Sequence, residues 1–151
     1  LSVLLVDLNG FKDVNDLLGH GAGDEALRIV ADRLRLQCAD TVCLARLGGD
    51  EFAVVVQGGP DDAYLLGDSI RRSMEEPLHT DGLPITVGAS VGMAFYPAHA
   101  TEVSALLKRA DQALYVAKQH PELPVQAFDG TSDRSTARRV SNVFSNLLSS
   151  E

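Results

Sequence analysis

Asp7 closes the apolar run Leu1-Ser2-Val3-Leu4-Leu5-Val6, and Asp50 stands in Gly48-Gly49-Asp50 between two further apolar runs. Carboxylates brought together from such strand ends repel, and one is driven towards protonation unless a cation sits between them. Hard divalent ions such as Mg²⁺ take one or two carboxylates and keep positions for water and phosphate oxygens. A strand-end aspartate pair therefore suits metal-assisted phosphoryl or nucleotidyl transfer. Spacing alone leaves a plainer reading open, in which both are loop acids at opposite ends of turns. Other reactive residue types say less. His20 beside Gly19 reads as locally satisfied. Gly19, Gly21 and Gly23 are followed by no Gly-Lys-Ser/Thr, which excludes a Walker A loop. Cys38 and Cys43 lack CxxC spacing and read as reduced thiols.

The two acids meet only if the elements between them fold back. At 151 residues the chain has material for one core, and 45% hydrophobic content fits an ordinary globular domain. Thirteen basic against twenty-one acidic residues give a net charge of −8, which argues against non-specific nucleic-acid binding. No apolar run reaches the ~18–20 residues of a membrane span. Cytoplasmic placement follows as an expectation. So does missing upstream sequence, because the chain opens inside an apolar strand; a membrane anchor in the parent protein stays open.

Residues 1–8 read as a strand, and Leu27, Val30, Ala31 and Leu34 mark an amphipathic helix over 23–37. Strands at 41–46 and 51–57 flank the glycine turn, a hairpin signal. A helix runs from Gly59-Pro60 to about Glu76, with Ala63, Leu66, Ile70 and Met74 on one face. A long strand region covers 84–96. Thr101 is the expected N-cap of a helix carrying Val103, Leu106, Leu107, Ala110, Leu114 and Ala117. A short strand follows at 125–128. The order β–α–α–β–β–α–β, with a terminal α–β, predicts an α+β fold. Its antiparallel-dominated central sheet, flanked by helices, is close to the ferredoxin-like pattern. There the first strand runs antiparallel to the second hairpin strand, and its end brings Asp7 to Asp50.

Four blocks in order now carry a family resemblance. They are Asp7-Leu8-Asn9-Gly10-Phe11-Lys12-Asp13-Val14-Asn15-Asp16 with Gly19 to Asp24, Arg46-Leu47-Gly48-Gly49-Asp50-Glu51-Phe52, Ala89 to Ala94, and Arg109 to Lys118. Over about 1–120 the chain resembles the GGDEF domains of diguanylate cyclases, with their nucleotidyl-cyclase palm. The resemblance implies Mg²⁺ or Mn²⁺ as cofactor, held by the Asp7 and Asp50 side chains and the Leu8 carbonyl. Glu51 would assist with metal or deprotonate the attacking 3′-hydroxyl, two roles left open here. Asn15 and Asp24 match a guanine-recognising pair, a carboxylate accepting from N1–H and N2–H and an amide serving the acceptor edge. Backbone N–H groups from Asn9 through Phe11 to Lys12 at a helix start, with the Lys12 side chain, would hold phosphates. Lys118 would neutralise the triphosphate from the other side. Gly48 and Gly49 would let backbone approach the nucleotide. Without the resemblance, Asn15 and Asp24 read as helix punctuation and the lysines as solvated. The side chains of Phe11, Phe52 and Tyr115 read as core.

The implied reaction joins two GTP molecules into cyclic di-GMP across a two-fold pair of such domains. The alternative is a weak or inactive GTP-binding regulatory module in a larger signalling protein, alongside sensory or phosphodiesterase domains. Four departures bear on this choice. Ala39 and Val42 stand where the family often has an inhibitory Arg-x-x-Asp site, so no inhibitory site is expected. Gln119-His120-Pro121-Glu122 puts an acid where a phosphate-binding arginine is expected. Asn9 replaces a common aspartate. The family's N-terminal helix does not precede the first strand in this chain. Residues 1–130 are read as the domain. The segment 131–151, where Val140, Val143, Phe144, Leu147 and Leu148 fall at helical spacing, is read as a linker or helix of unknown role.

Overall fold

The computed structural model describes residues 1–130; the linker or helix expected over 131–151 lies outside the described residues. Strand β1 (Ser2–Asn9) occupies the centre of a five-stranded sheet, between β3 (Glu51–Val56) and β6 (Gly88–Phe95). β2 (Cys43–Gly48) lies outside β3, and β7 (Val125–Ala127) lies outside β6. A strand covered on both faces needs continuous apolar sequence, which is why Ser2 to Leu8 shows no alternation. The fold is α+β, and every pairing in this sheet is antiparallel except β6 with β7.

Period-two geometry sorts the side chains of β1. Leu4, Val6 and Leu8 point into a core built with α1 (Phe11–Gln37) and α2 (Pro60–Ser73), through Leu27, Val30 and Ile70. Val3 and Leu5 point to the other face, where α3 (Val103–Gln119) supplies Leu106, Leu107, Ala110 and Leu114. Asp7 shares the parity of Val3 and Leu5. It therefore faces α3.

Helix α1 starts earlier than the apolar periodicity predicts, at Phe11, and breaks at Gly19, whose φ of 85° and ψ of 170° lie outside helical space. This break separates the two consecutive helices expected from sequence. Helix α2 ends at Ser73, short of Glu76. There the Arg33 guanidinium from α1 donates to the carbonyls of Ser73 (2.9 Å), Glu76 (2.5 Å) and Pro77 (3.0 Å), collecting carbonyls left without helical partners. The single strand expected over 84–96 is two elements. Residues β4 (Leu78–Thr80) and β5 (Leu83–Ile85) form a separate hairpin before β6. Asp81 and Gly82 turn it with φ of 50° and 75°; Asp-Gly is a strong signal for such a turn. Thr101 does not cap α3: the N-cap position is Glu102, in extended conformation without a side-chain cap bond.

Helix α3 sits against the sheet at Gly92. A Cβ there would lie 2.1 Å from the Leu114 nitrogen and 2.3 Å from the Ala110 carbonyl oxygen. This close approach fixes the helix that carries Lys118. Among the described residues no helix is long and apolar enough to cross a membrane.

Candidate active site

The β2–β3 hairpin turns at Gly49-Asp50 after Gly48, with φ of 143° at Gly48 and 52° at Gly49, values that strain any residue with a Cβ. The Arg46 Nε donates to the Gly49 carbonyl at 3.1 Å and holds the turn. Antiparallel pairing of β3 with β1 sets Asp7 opposite Glu51, and the Leu8 N–H donates to the Asp50 carbonyl at 3.1 Å. Glu51 shares a face with Ala53, which packs on the α3 side. Thus the acid directly across from Asp7 is Glu51, with Asp50 on the turn beside it. Sequence reasoning paired Asp7 with Asp50 and gave Glu51 a subsidiary place; the two-residue turn sets the finer register.

The Asp7 side chain is buried and forms an ion pair with the Lys118 ammonium. Burial pushes its carboxyl above the ordinary 3.8, Lys118 pulls it back, and the charges of Asp50 and Glu51 push it up again. Lys118 thus pairs with a carboxylate that has two further acids nearby. Asp7, Leu8, Lys12, Asp50, Glu51 and Lys118 surround an open depression of about 300 Å³. Among the described residues no three His, Cys, Asp or Glu side chains converge on one point. The Asp7 and Asp50 carboxylates with the Leu8 backbone oxygen would suit an ion that completes its shell with oxygens from water or phosphate. Mg²⁺ and Mn²⁺ meet that description.

The remaining candidates lie on α1 and α3. Gly10, left-handed at φ 81°, turns the chain from β1 into α1, so the first-turn N–H groups, those of Phe11 and Lys12 among them, open beside Asp7. The Phe11 side chain is buried in the core, which leaves only its backbone for an anion. Lys12 is exposed. Asn15 is packed on Gly23, where a Cβ would lie 1.7 Å from the Asn15 Oδ1. Asp24 itself lines a second hollow of about 440 Å³ between α1 and the hairpin, with Leu27, Arg28, Arg35, Arg46 and Phe52.

Sequence reasoning missed two supports. Asn9 Nδ2 donates to Ser90 Oγ at 3.0 Å, which ties the end of β1 to β6 below the Gly10 turn. Arg46 was seen only as part of a motif, and its hold on Gly49 needs the folded hairpin. Where a basic residue was expected, Glu122 is exposed and engages His120 Nδ1 at 3.1 Å. Its carboxyl is held below the ordinary 4.5 by its own backbone N–H and then by His120.

The family profile described as "Diguanylate cyclase, GGDEF domain" matches residues 1–122. Diguanylate cyclase TpbB of Pseudomonas aeruginosa is 43% identical over 122 residues, which are 79% of this chain and 28% of that protein. The cyclic di-GMP phosphodiesterase NbdA of the same species is 40% identical over 119 residues, 78% of this chain and 15% of that protein. The chain thus spans a third or less of the length of the curated relatives it matches. The crystal structure of the GGDEF domain of TpbB (YfiN) from P. aeruginosa superposes with a TM-score of 0.80 at 40% identity, covering 85% of this chain and 81% of that one. Fold, hairpin and ordered motifs agree with the profile, and the chain belongs to the GGDEF family.

Proposed function

We propose that this domain is a diguanylate cyclase, condensing two GTP into cyclic di-GMP and two pyrophosphates across a two-fold pair of domains. The observation that carries the reading is the buried Asp7 carboxylate, paired with the Lys118 ammonium and facing the charges of Asp50 and Glu51. Asp7, Asp50 and the Leu8 carbonyl would hold Mg²⁺ or Mn²⁺. When bound, the ion supplies charge stabilisation at the phosphoryl oxygens. The first-turn N–H groups at Phe11 and Lys12, with the Lys12 and Lys118 ammonium groups, hold the triphosphate. Asn15 and Asp24 hold the guanine. Gly48 and Gly49 leave the hairpin backbone open to the nucleotide.

The 3′-oxygen of one nucleotide then bonds to the α-phosphorus of the other as the bond from that phosphorus to the pyrophosphate oxygen breaks. The hydroxyl proton leaves towards the carboxylate side, where Glu51 would either accept it or assist with the metal. One domain holds one GTP, so each domain supplies half of the site, and an isologous pair completes it. Because GTP is the substrate, we place the domain in the cytoplasm, attached to sensory or phosphodiesterase domains in the parent protein.

A second reading rests on Glu122. An acid in place of a phosphate-binding cation removes a charge-assisted contact and leaves a weak or silent GTP-binding module. The two readings separate when the chain, fused to a dimeriser, is incubated with GTP and Mg²⁺ or Mn²⁺. Cyclic di-GMP that disappears in Asp50→Ala supports catalysis. GTP binding without product in the dimerised protein leaves the regulatory module.

A further inference from the structure

We infer that Arg28 is a specificity-determining residue, its guanidinium fork donating to the O6 and N7 edge of guanine next to the part of the base read by Asp24, so that Asn15 is not the sole donor to the acceptor edge. The inference rests on the GTP-binding reading above and deepens it. The hollow between α1 and the hairpin has an apolar floor from Leu27 and Phe52, and Asp24, Arg28, Arg35 and Arg46 around it. A flat heterocycle with polar edges matches that lining. Asp24 and Arg28 are four residues apart in α1, hence on one face and one turn apart.

Guanine presents its groups in the order N2–H, N1–H, O6, N7, two donors followed by two acceptors. A carboxylate followed by a guanidinium reads that order, and arginine to O6 and N7 is the commonest specific contact to guanine. Adenine carries a donor at position 6 and would set N–H against N–H. Both neighbours of Arg28 in the hollow are committed. Arg35 pairs with Asp32 at 2.7 Å, and Arg46 gives its Nε to the Gly49 carbonyl. Arg28 approaches Asp32 only to 3.9 Å and makes no hydrogen bond among the described residues. Its side chain is 66% exposed, so its fork can swing to a base without breaking the fold.

The test uses equilibrium binding to the full chain, read by displacement of a fluorescent GTP analogue. The competitors are GTP, 7-deaza-GTP, which lacks the N7 acceptor, and inosine triphosphate, which lacks the N2 amine. The unaltered chain is expected to bind 7-deaza-GTP about tenfold more weakly than GTP. Arg28→Met should bind both alike, about tenfold more weakly than the unaltered chain binds GTP. Arg28→Lys should also lose the N7 preference, because an ammonium keeps the charge without the fork. The preference for GTP over inosine triphosphate, which belongs to Asp24, should be unchanged in both variants. Equal binding of GTP and 7-deaza-GTP by the unaltered chain overturns the inference. So does a variant in which both preferences fall together, since Arg28 would then merely support Asp24. If the unaltered chain binds no GTP, the nucleotide reading itself fails and takes this inference with it.

Discussion

Asp7 carries a conflict between stability and function. Its carboxylate is buried near two other acids, and Lys118 compensates it. Asp7→Asn keeps the volume and removes the repulsion, so the expected result is a higher melting temperature without metal. The same substitution should abolish cyclic di-GMP formation and any melting shift produced by Mg²⁺ or Mn²⁺. Calorimetry with and without metal checks both; a less stable Asp7→Asn would show that the Lys118 pair outweighs the burial penalty. Gly23 is the second informative residue. A methyl there lands on Asn15, so Gly23→Ala should displace the amide and weaken GTP binding by about tenfold, the loss of one good hydrogen bond. Titration with GTP reads this directly. Asp7, Asp50 and Glu51 were legible in the sequence as a set. That Glu51 stands directly across from Asp7 was not, because a one-residue difference in hairpin register decides which acid takes that place.

Elements transmit these positions. Gly92 lets α3 lie against β6, and an added Cβ would meet helix backbone, which cannot rotate away as a side chain can. Gly92→Ala is expected to cost about 1–3 kcal/mol through overpacking and to draw Lys118 off Asp7. Turnover should then fall even at temperatures where the fold persists, which paired unfolding and activity curves would show. Arg33→Ala should cost about 1.5–3 kcal/mol by stripping the carbonyls at the end of α2, with turnover at low temperature unchanged.

The loop after β6 supplies a pH dependence. The Phe95 N–H donates to His99 Nδ1 at 3.1 Å, so the neutral ring carries its proton on Nε2. That ring packs on Phe95 and on Phe128, and Arg109 stands over Phe128 at 4.6 Å. Burial, then the Arg109 charge, lowers the His99 pKa from its ordinary 6.5. Below 6.5 the unfolded chain takes up the proton before the folded one does. Stability contributed by this group therefore falls as pH drops from about 6.5 to the lowered folded value, and is full above it. His99→Gln should lessen that loss in urea titrations at pH 7.5 and 5.5. The β4–β5 hairpin shows the limit of periodicity: its strands are too short for an alternating pattern, and only Asp81-Gly82 announces it.

At the scale of the whole molecule, the proposed reaction needs two nucleotides, one on each of two domains. The rate per chain should rise linearly with protein concentration until pairing saturates, and should lose that dependence when a dimeriser is fused; initial rates over a wide concentration range decide this. The sequence by itself determined family, fold class and the roster of candidate residues, because motif spacing and hydrophobic runs are local properties written along the chain. It also placed the acids at the end of β1 and the hairpin turn, since strand order follows from element order. Only the tertiary structure decided which face Asp7 takes, that Glu51 stands opposite it, that Lys118 reaches it from α3, and that Asp24 shares a hollow with Arg28 and Arg46. The reason is physical. Register and helix docking are set by packing between residues far apart in sequence, such as Gly92 against Leu114 and Asn9 against Ser90. No stretch of chain read alone contains both partners.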